Sequence, residues 1–285
     1  MREEEIYFES NGIKLSGVLH LPDKRAPGII LCHGAGGHKE YHKWEANPLV
    51  EAGFAVLRFD FRGCGLSEGT RGLIKPSDEI RDLKNAITYL QSRGGVNEES
   101  IGVCGHSLGG AVLIAVSSED PRVKAAISIS APSSLAQAPE EFASPDDRER
   151  ILSMLSIDKV KRAYGKPTKI SLDQIPQREK EIPKTDLEAA EFLLHDPLIV
   201  REFLAESLED MMTFRPIDMV DKISPRPILF IHGEEDAAVE AYHAQELYNR
   251  AKEPKELRII KDAGHSIPVD EINPLIISWF RKYLS

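Results

Sequence analysis

Three cysteines in 285 residues cannot all pair, and none has the spacing or histidine partners of a metal site. A disulfide framework and a structural metal are therefore not expected. Cys32 and Cys104 fall in apolar runs and read as small core residues, whereas Cys64 falls in a loop. No uninterrupted apolar stretch approaches the roughly 18 residues of a membrane span. The opening residues, MREEEIYFES, have neither the basic nor the apolar region of a secretory signal. These absences support a reduced, cytoplasmic protein. Positive charge is also scarce: 36 Lys and Arg against 46 Asp and Glu leave a net charge of −10. Such a surface repels polyanions, so nucleic acid and anionic membranes are not expected as partners. Neither G-x-x-x-x-G-K-[ST] nor a G-x-G-x-x-G opening a helix occurs, which argues against a phosphate-binding loop. No repeat or long low-complexity segment interrupts the chain.

What is present is a rhythm of short apolar runs and amphipathic stretches. Alternation over 4–9 and 13–21 around Asn11-Gly12 predicts a hairpin. Strands are then predicted near 28–32, 54–60, 101–104, 123–129, 227–232 and 257–261, with helices near 40–52, 77–93, 107–118, 240–252 and 270–284. That alternation implies a mainly parallel sheet with helices on both faces. Between Pro132 and about Pro225 it breaks. Residues 133–222 read as a mostly helical cap inserted between core strands, leaving 1–132 and 223–285 as the core. Ser144-Pro145 starts one cap helix and Thr185-Asp186-Leu187-Glu188 is a capping-box pattern. Asp196-Pro197 starts a further helix carrying Phe203, Leu204, Leu208, Met211 and Met212, and residues 166–184 read as an exposed connector.

The chemistry is concentrated at the ends of the predicted strands. Gly105-His106-Ser107-Leu108-Gly109 joins a strand to an apolar helix through G-x-S-x-G. Side chains two positions either side of the serine would collide in so tight a turn, hence the glycines. The turn lifts the Ser107 hydroxyl clear of the sheet and leaves the Leu108 N–H to face an oxyanion. A serine hydroxyl needs a base, and the base an orienting acid. His265, in Asp262-Ala263-Gly264-His265-Ser266, supplies the base. Asp236 supplies the acid, favoured over Glu234 and Glu235 by the spacing H-G-x-x-D. Both follow strands, at the edge where open α/β sheets build sites. The glycine-rich turn His33-Gly34-Ala35-Gly36-Gly37 offers a second oxyanion donor, assigned to the Ala35 N–H, with His33 anchoring the loop. Arg62 is expected to brace its own turn. Candidate substrate contacts are His38, beside that loop, and Phe203, Met211 and Phe214 in the cap, with Phe192 and Met212 as further apolar candidates.

Taken in order, His33 to Gly37, Asp60-Phe61-Arg62-Gly63-Cys64-Gly65-Leu66-Ser67, the serine elbow, Asp236 and His265 make the chain resemble the α/β-hydrolases over nearly its whole length. HGAGGHKEYH and DFRGCGLSEG most resemble small carboxylesterases of the cinnamoyl/feruloyl-esterase type; monoacylglycerol-lipase-like and lysophospholipase-like enzymes share similar stretches. The resemblance implies a serine hydrolase of small carboxylic esters, working through an acyl-enzyme without a cofactor. Serine at the elbow separates it from the epoxide hydrolases and dehalogenases, which use aspartate. A monoacylglycerol-lipase-like enzyme and a small aminopeptidase remain open, as does a non-catalytic receptor on the same fold. The partners to expect are a small-molecule ester and a second copy in a homodimer. The cap is expected to set substrate choice more than chemical competence.

Overall fold

Asn11 and Gly12 both take positive φ, 52° and 80°. That conformation lets a two-residue turn match the twist of the strands it joins. It connects β1 (Arg2–Ser10) to β2 (Ile13–Leu21) as an antiparallel pair in continuous register, Arg2 opposite Leu21 and Ser10 opposite Ile13. The structure is a computed structural model and describes residues 2–136, 144–171, 183–187, 189 and 195–284.

The hairpin leads into β3 (Ala26–Cys32), β4 (Ala55–Phe59), β5 (Val96–His106), β6 (Val123–Ile129), and two short strands, β7 (Lys169–Ser171) and β8 (Glu202–Leu204). They are followed by β9 (Ile228–Gly233) and β10 (Lys255–Ile260). The main sheet has the order β1-β2-β4-β3-β5-β6-β9-β10. Pairing is parallel from β4 through β10, and only β1 and β2 run antiparallel to their neighbours. The helices are α1 (Lys43–Glu51), α2 (Pro76–Gln91), α3 (Leu108–Glu119), α4 (Pro145–Ala163), α5 (Ala205–Met211), α6 (Tyr242–Arg250) and α7 (Val269–Leu284).

Both faces of the sheet are covered, which is why its central strands are apolar without alternation. Ile30, Val103, Ala126 and Phe230 belong to the cluster that includes residues of α2, α3 and α6. Their neighbours Ile29, Leu31, Cys104, Ile127 and Leu229 join α1 and α7 on the opposite face. The period of two thus survives as a choice between two apolar layers. Helix α3 is apolar all round because it starts beneath the elbow and is buried from Leu108 to Ser117. Cys32, Cys64 and Cys104 are all buried and free, Cys64 despite its place in a loop. Among the described residues no helix is long and apolar enough to cross a membrane.

The segment between β6 and β9 departs from the mostly helical reading in three ways. First, β7 pairs antiparallel with β8, Ile170 opposite Phe203. Second, the helix expected from Asp196-Pro197 starts only at Ala205, and Phe203 and Leu204 are strand residues. Asp196 does bond the Leu198 N–H as a helix cap would, at 2.8 Å. The Arg71 guanidinium then takes the carbonyls of Leu198 and Ile199 at 2.7 and 3.0 Å, acceptors that a continuing helix would need. Extended pairing with β7 also lets Phe203 and Leu204 both be buried. Third, the residues expected to form an exposed connector include β7 itself; 172–182 lie outside the described residues. Ser144 caps α4 as read, accepting from the Asp147 N–H at 3.2 Å. A small cluster of Leu155, Ile170 and Ala205 holds α4, β7 and α5 together.

A close backbone joint forms where α3 meets β3. A Cβ at Gly109 would lie 2.5 Å from the His33 carbonyl oxygen and 2.6 Å from that of Cys32. Both are backbone atoms that cannot turn aside. Gly109→Ala is expected to lower stability by about 1–3 kcal/mol, as overpacking does. Gly94→Ala is the control, because a Cβ there meets nothing within 4 Å. It should stay within about 0.5 kcal/mol of the parent in urea unfolding. Equal midpoints for the two variants would refute the steric account.

Candidate active site

Ser107 stands alone between β5 and α3, with φ 55° and ψ −122°. A non-glycine residue holds such a conformation only when its surroundings impose it. They do so here by contact: a Cβ at Gly105 would sit 2.6 Å from the Gly109 carbonyl oxygen. The Ser107 N–H is pinned to the Ile129 carbonyl at 2.8 Å, and its own carbonyl accepts from Ala111 at 3.0 Å. Leu108 is the first residue of α3, so its N–H has no acceptor within the helix and lies at the positive end of the helix dipole.

The loop after β3 lies against this elbow. A Cβ at Gly34 would come within 3.1 Å of the Ser107 Cβ. His33 anchors the loop, donating from Nδ1 to the Gly34 carbonyl at 2.8 Å and accepting at Nε2 from the Phe61 N–H at 3.0 Å. Burial pushes its pKa down to about 4, so this tautomer stays neutral. Ala35 sits exposed at the tip.

His265 and Asp236 meet across the ends of β10 and β9. The His265 Nδ1–H donates to Asp236 Oδ2 at 2.7 Å. Asp236 is buried, whereas Glu234 and Glu235 are exposed. Burial alone would raise the Asp236 pKa, but hydrogen bonds from His232, His265 and the Val239 N–H outweigh it and hold the carboxyl well below the usual range. The ionised group accepts only, which fixes the proton of His265 on Nδ1 and leaves Nε2 free of it.

Three further residues bond the His265 loop or Asp236 in ways the sequence did not reveal. His106 donates from Nε2 to the His265 carbonyl at 2.9 Å, its ring 4.7 Å from that of His265. Burial pushes its pKa down to about 3. His232 shares its Nε2–H between the Val239 carbonyl at 2.7 Å and Asp236 Oδ2 at 3.1 Å. The H-G-x-x-D spacing held that signal, since a histidine at the strand end faces an acid four residues on. Asp186, read as part of a capping box, instead accepts from the N–H groups of His265 and Ser266.

The candidate substrate contacts are placed less uniformly. Phe203 reaches the loop after β3: a Cβ at Gly36 would stand 3.1 Å from its Cζ. Met211 and Phe214 pack with the main apolar cluster and Met212 with the small one. His38 is corrected. Its Nε2 bonds Asp196 at 2.7 Å and its Nδ1 accepts from the Glu40 N–H at 3.3 Å, so both ring nitrogens serve the protein as a brace. Phe192 lies outside the described residues. Arg62 bonds Asp82 through Nε and Nη2 and braces its turn.

A family model for serine aminopeptidase, S33, matches residues 23–272. The chain belongs to this S33 hydrolase family. A polyketide transferase of the fungus Stachybotrys chlorohalonatus is 25% identical over 93% of this S33 chain and 90% of its own. An uncharacterized protein of Pseudomonas aeruginosa is 30% identical over 96% of this chain and 78% of its own. The crystal structure of an α/β hydrolase from a Penicillium species superposes with a TM-score of 0.86 at 24% identity, covering 100% of this chain and 99% of that one. The α/β-hydrolase resemblance in the sequence is thus confirmed at the level of fold and hydrolase family.

The site makes a sharp distinction between acids. Asp236→Asn should lower kcat by about 10⁴-fold, because an amide cannot hold the same tautomer and charge. Glu234→Gln and Glu235→Gln should keep parental rates in the same ester assay. The reverse ranking would move the acid.

Proposed function

We propose that this S33-family chain is a carboxylesterase that cleaves small carboxylic esters through an acyl-enzyme on Ser107, with Asp236 and His265 completing a triad. The observation that carries the reading is the 2.7 Å bond from His265 to a buried, ionised Asp236, with the His265 carbonyl bonded by His106, the residue before Ser107 in the elbow. His265 Nε2 takes the hydroxyl proton as Ser107 Oγ attacks the ester carbonyl. The Ala35 and Leu108 N–H groups stabilise the oxyanion. The intermediate collapses, the C–O bond to the alcohol breaks, and His265 returns the proton to the departing oxygen. Water, deprotonated by the same nitrogen, then attacks the acyl-serine; the acid leaves and Ser107 regains its proton. The motif resemblance to cinnamoyl/feruloyl esterases supports aryl-substituted acyl groups as the first to test.

The family's description as aminopeptidases is the natural rival. A substrate's free amino terminus would need carboxylates without other partners. Among the described carboxylates of the insert, Glu202, Glu206, Glu209 and Asp218 each have a basic partner, while Asp210 bonds Ser77 and Asp196 bonds His38, so these six are engaged within the protein. Ester against amide turnover decides between the two. A second reading, transfer of the acyl group to an alcohol rather than water, draws on the similarity to a polyketide transferase over nine-tenths of both chains. It shares the acyl-enzyme and differs only in the acceptor.

Ser107→Ala should reduce ester turnover by about 10⁴-fold or more with its circular dichroism unchanged. Retention of more than a few per cent of activity would sink the assignment. A panel of aryl, cinnamoyl and glyceryl esters beside aminoacyl amides reads the substrate class, and added alcohol reads transfer. Labelling by a fluorophosphonate without turnover of any ester would indicate a receptor. Phe203→Ala should change the kcat/KM ratio for short against bulky acyl groups by about ten-fold or more. Equal scaling of every ester would place the acyl pocket away from Phe203.

A further inference from the structure

The loop that carries His265 is held differently along its length. Up to Ala263 it is pinned by the main chain of the turn after β9: Glu234 N–H donates to Ile260 and Glu235 N–H to the Ala263 carbonyl, each at 2.9 Å. Beyond Ala263 three consecutive amides turn to side chains of the insert. Gly264 N–H donates to Thr185 Oγ1 at 3.0 Å, His265 N–H to Asp186 Oδ2 at 3.0 Å, and Ser266 N–H to Asp186 Oδ1 at 2.7 Å. The opposite edge of the same peptide is held by the core, where the His265 carbonyl accepts from His106 Nε2 at 2.9 Å and Ser130 Oγ at 3.2 Å. The residue before the histidine is shaped to this contact. A Cβ at Gly264 would fall 2.3 Å from Asp186 Oδ2, and all three of its nearest contacts belong to that carboxylate.

We propose that Asp186 is a positioning residue for His265, so that the seating of the insert on the core sets the geometry of the catalytic base. The proposal rests on the triad reading above. One bond from Asp236 fixes a point on the imidazole but lets the ring swing about it. Fixing the amide and the carbonyl of the same residue fixes its Cα, and with it the arc on which Nε2 lies. A carboxylate suits the task because it accepts from two adjacent N–H groups at once and carries charge into both bonds. Asparagine can accept from one of them only, turning its NH₂ toward the other donor.

Four variants test this: Asp186→Ala, Asp186→Asn, Gly264→Ala, and the pair Asp186→Ala with Gly264→Ala. Each single substitution should lower kcat for a good ester by about ten- to a hundred-fold, the scale of a misplaced catalytic group. KM should stay within about two-fold, since no substrate contact is removed. The double variant should be no slower than Asp186→Ala, because the added methyl then meets no carboxylate. Amide hydrogen exchange over 264–266 should accelerate in Asp186→Ala and remain slow in Ser107→Ala. Faster exchange with an unchanged kcat would overturn the proposal, leaving the contact a structural tie. A raised KM at constant kcat would overturn it too, by assigning Asp186 to substrate. Exchange is read without turnover, so an active Ser107→Ala would condemn the triad while leaving the clamp itself measurable.

Discussion

Where β3, β5 and the start of α3 converge, no room is left for a Cβ at 105 or 109. The parallel pairing of β3 with β5 brings Cys32 opposite Gly105. The Cys32 and His33 carbonyls then face the first turn of α3, and only a bare Cα at Gly109 can pass them. Accepting that approach puts Ser107, the helix N-terminus and the glycine loop within a few ångströms of one another. The cost is the backbone of Ser107, of order 1–3 kcal/mol for its positive φ. Val112, Leu113, Ile114 and Val116 on α3 are each fully buried. Such side chains contribute about 1.5–3 kcal/mol apiece, an upper range given residual burial in the unfolded chain. Their sum exceeds the strain several times over. Helix packing therefore dictates the serine's conformation.

Around this joint the loops are tied by buried charge as well as by apolar contact. Asp60, fully buried, accepts from the Lys39 N–H at 2.6 Å, Lys39 Nζ at 2.7 Å and the Leu66 N–H at 2.9 Å. A Cβ at Gly65 would lie 2.4 Å from its carboxyl carbon, which accounts for the second glycine of R-G-C-G. Such a pair is weak evidence of net stability, because desolvation offsets much of the attraction. Removing one partner would cost about 3–5 kcal/mol by stranding the other. Its effect is directional: it fixes the loop after β3 to the loop after β4, and His33 does the same through Phe61. Much of the motif that resembles the esterases is thus scaffolding for the glycine-rich loop after β3.

What could be read from the sequence follows from how far each signal reaches. The alternating strands and helices, the hairpin at Asn11-Gly12 and the elbow are local and were legible, although β5 begins five residues before the apolar run at 101–104. Asp236 could be separated from Glu234 and Glu235 because the strand and tight turn before it constrain which carboxylate turns inward. The insert was less legible. Strands β7 and β8 are three residues each and separated by some thirty positions, so neither carries a periodic pattern of its own. Asp196-Pro197 and Thr185-Asp186 are genuine cap chemistry, and a carboxylate that can cap a helix can equally bond the amides of a distant loop. Only the folded chain decides which amides are nearer. The partner of His38 was hidden for the same reason, since proximity to the glycine loop says nothing of the acid 158 positions away that bonds it.

The insert is attached through the loops that form the site, which bears on how specificity and catalysis can be separated. Val200 N–H donates to the Gly36 carbonyl at 2.9 Å and Leu204 N–H to that of Gly72 at 2.8 Å. The Ile74 N–H bonds Ser207 Oγ at 2.9 Å, and His38 reaches Asp196. Gly36 belongs to the turn that bears Ala35, and His38 begins the next. The expected division, in which the insert chooses substrate while the core performs the chemistry, is therefore crossed by hydrogen bonds at both the glycine loop and the histidine loop. A substitution in the insert that reshapes a pocket acts on the same struts that hold both of these loops. Changes in acyl preference and in rate should then arise together wherever a strut is touched. They should part only at apolar positions such as Phe203, where the side chain can be cut without breaking a bond to either loop.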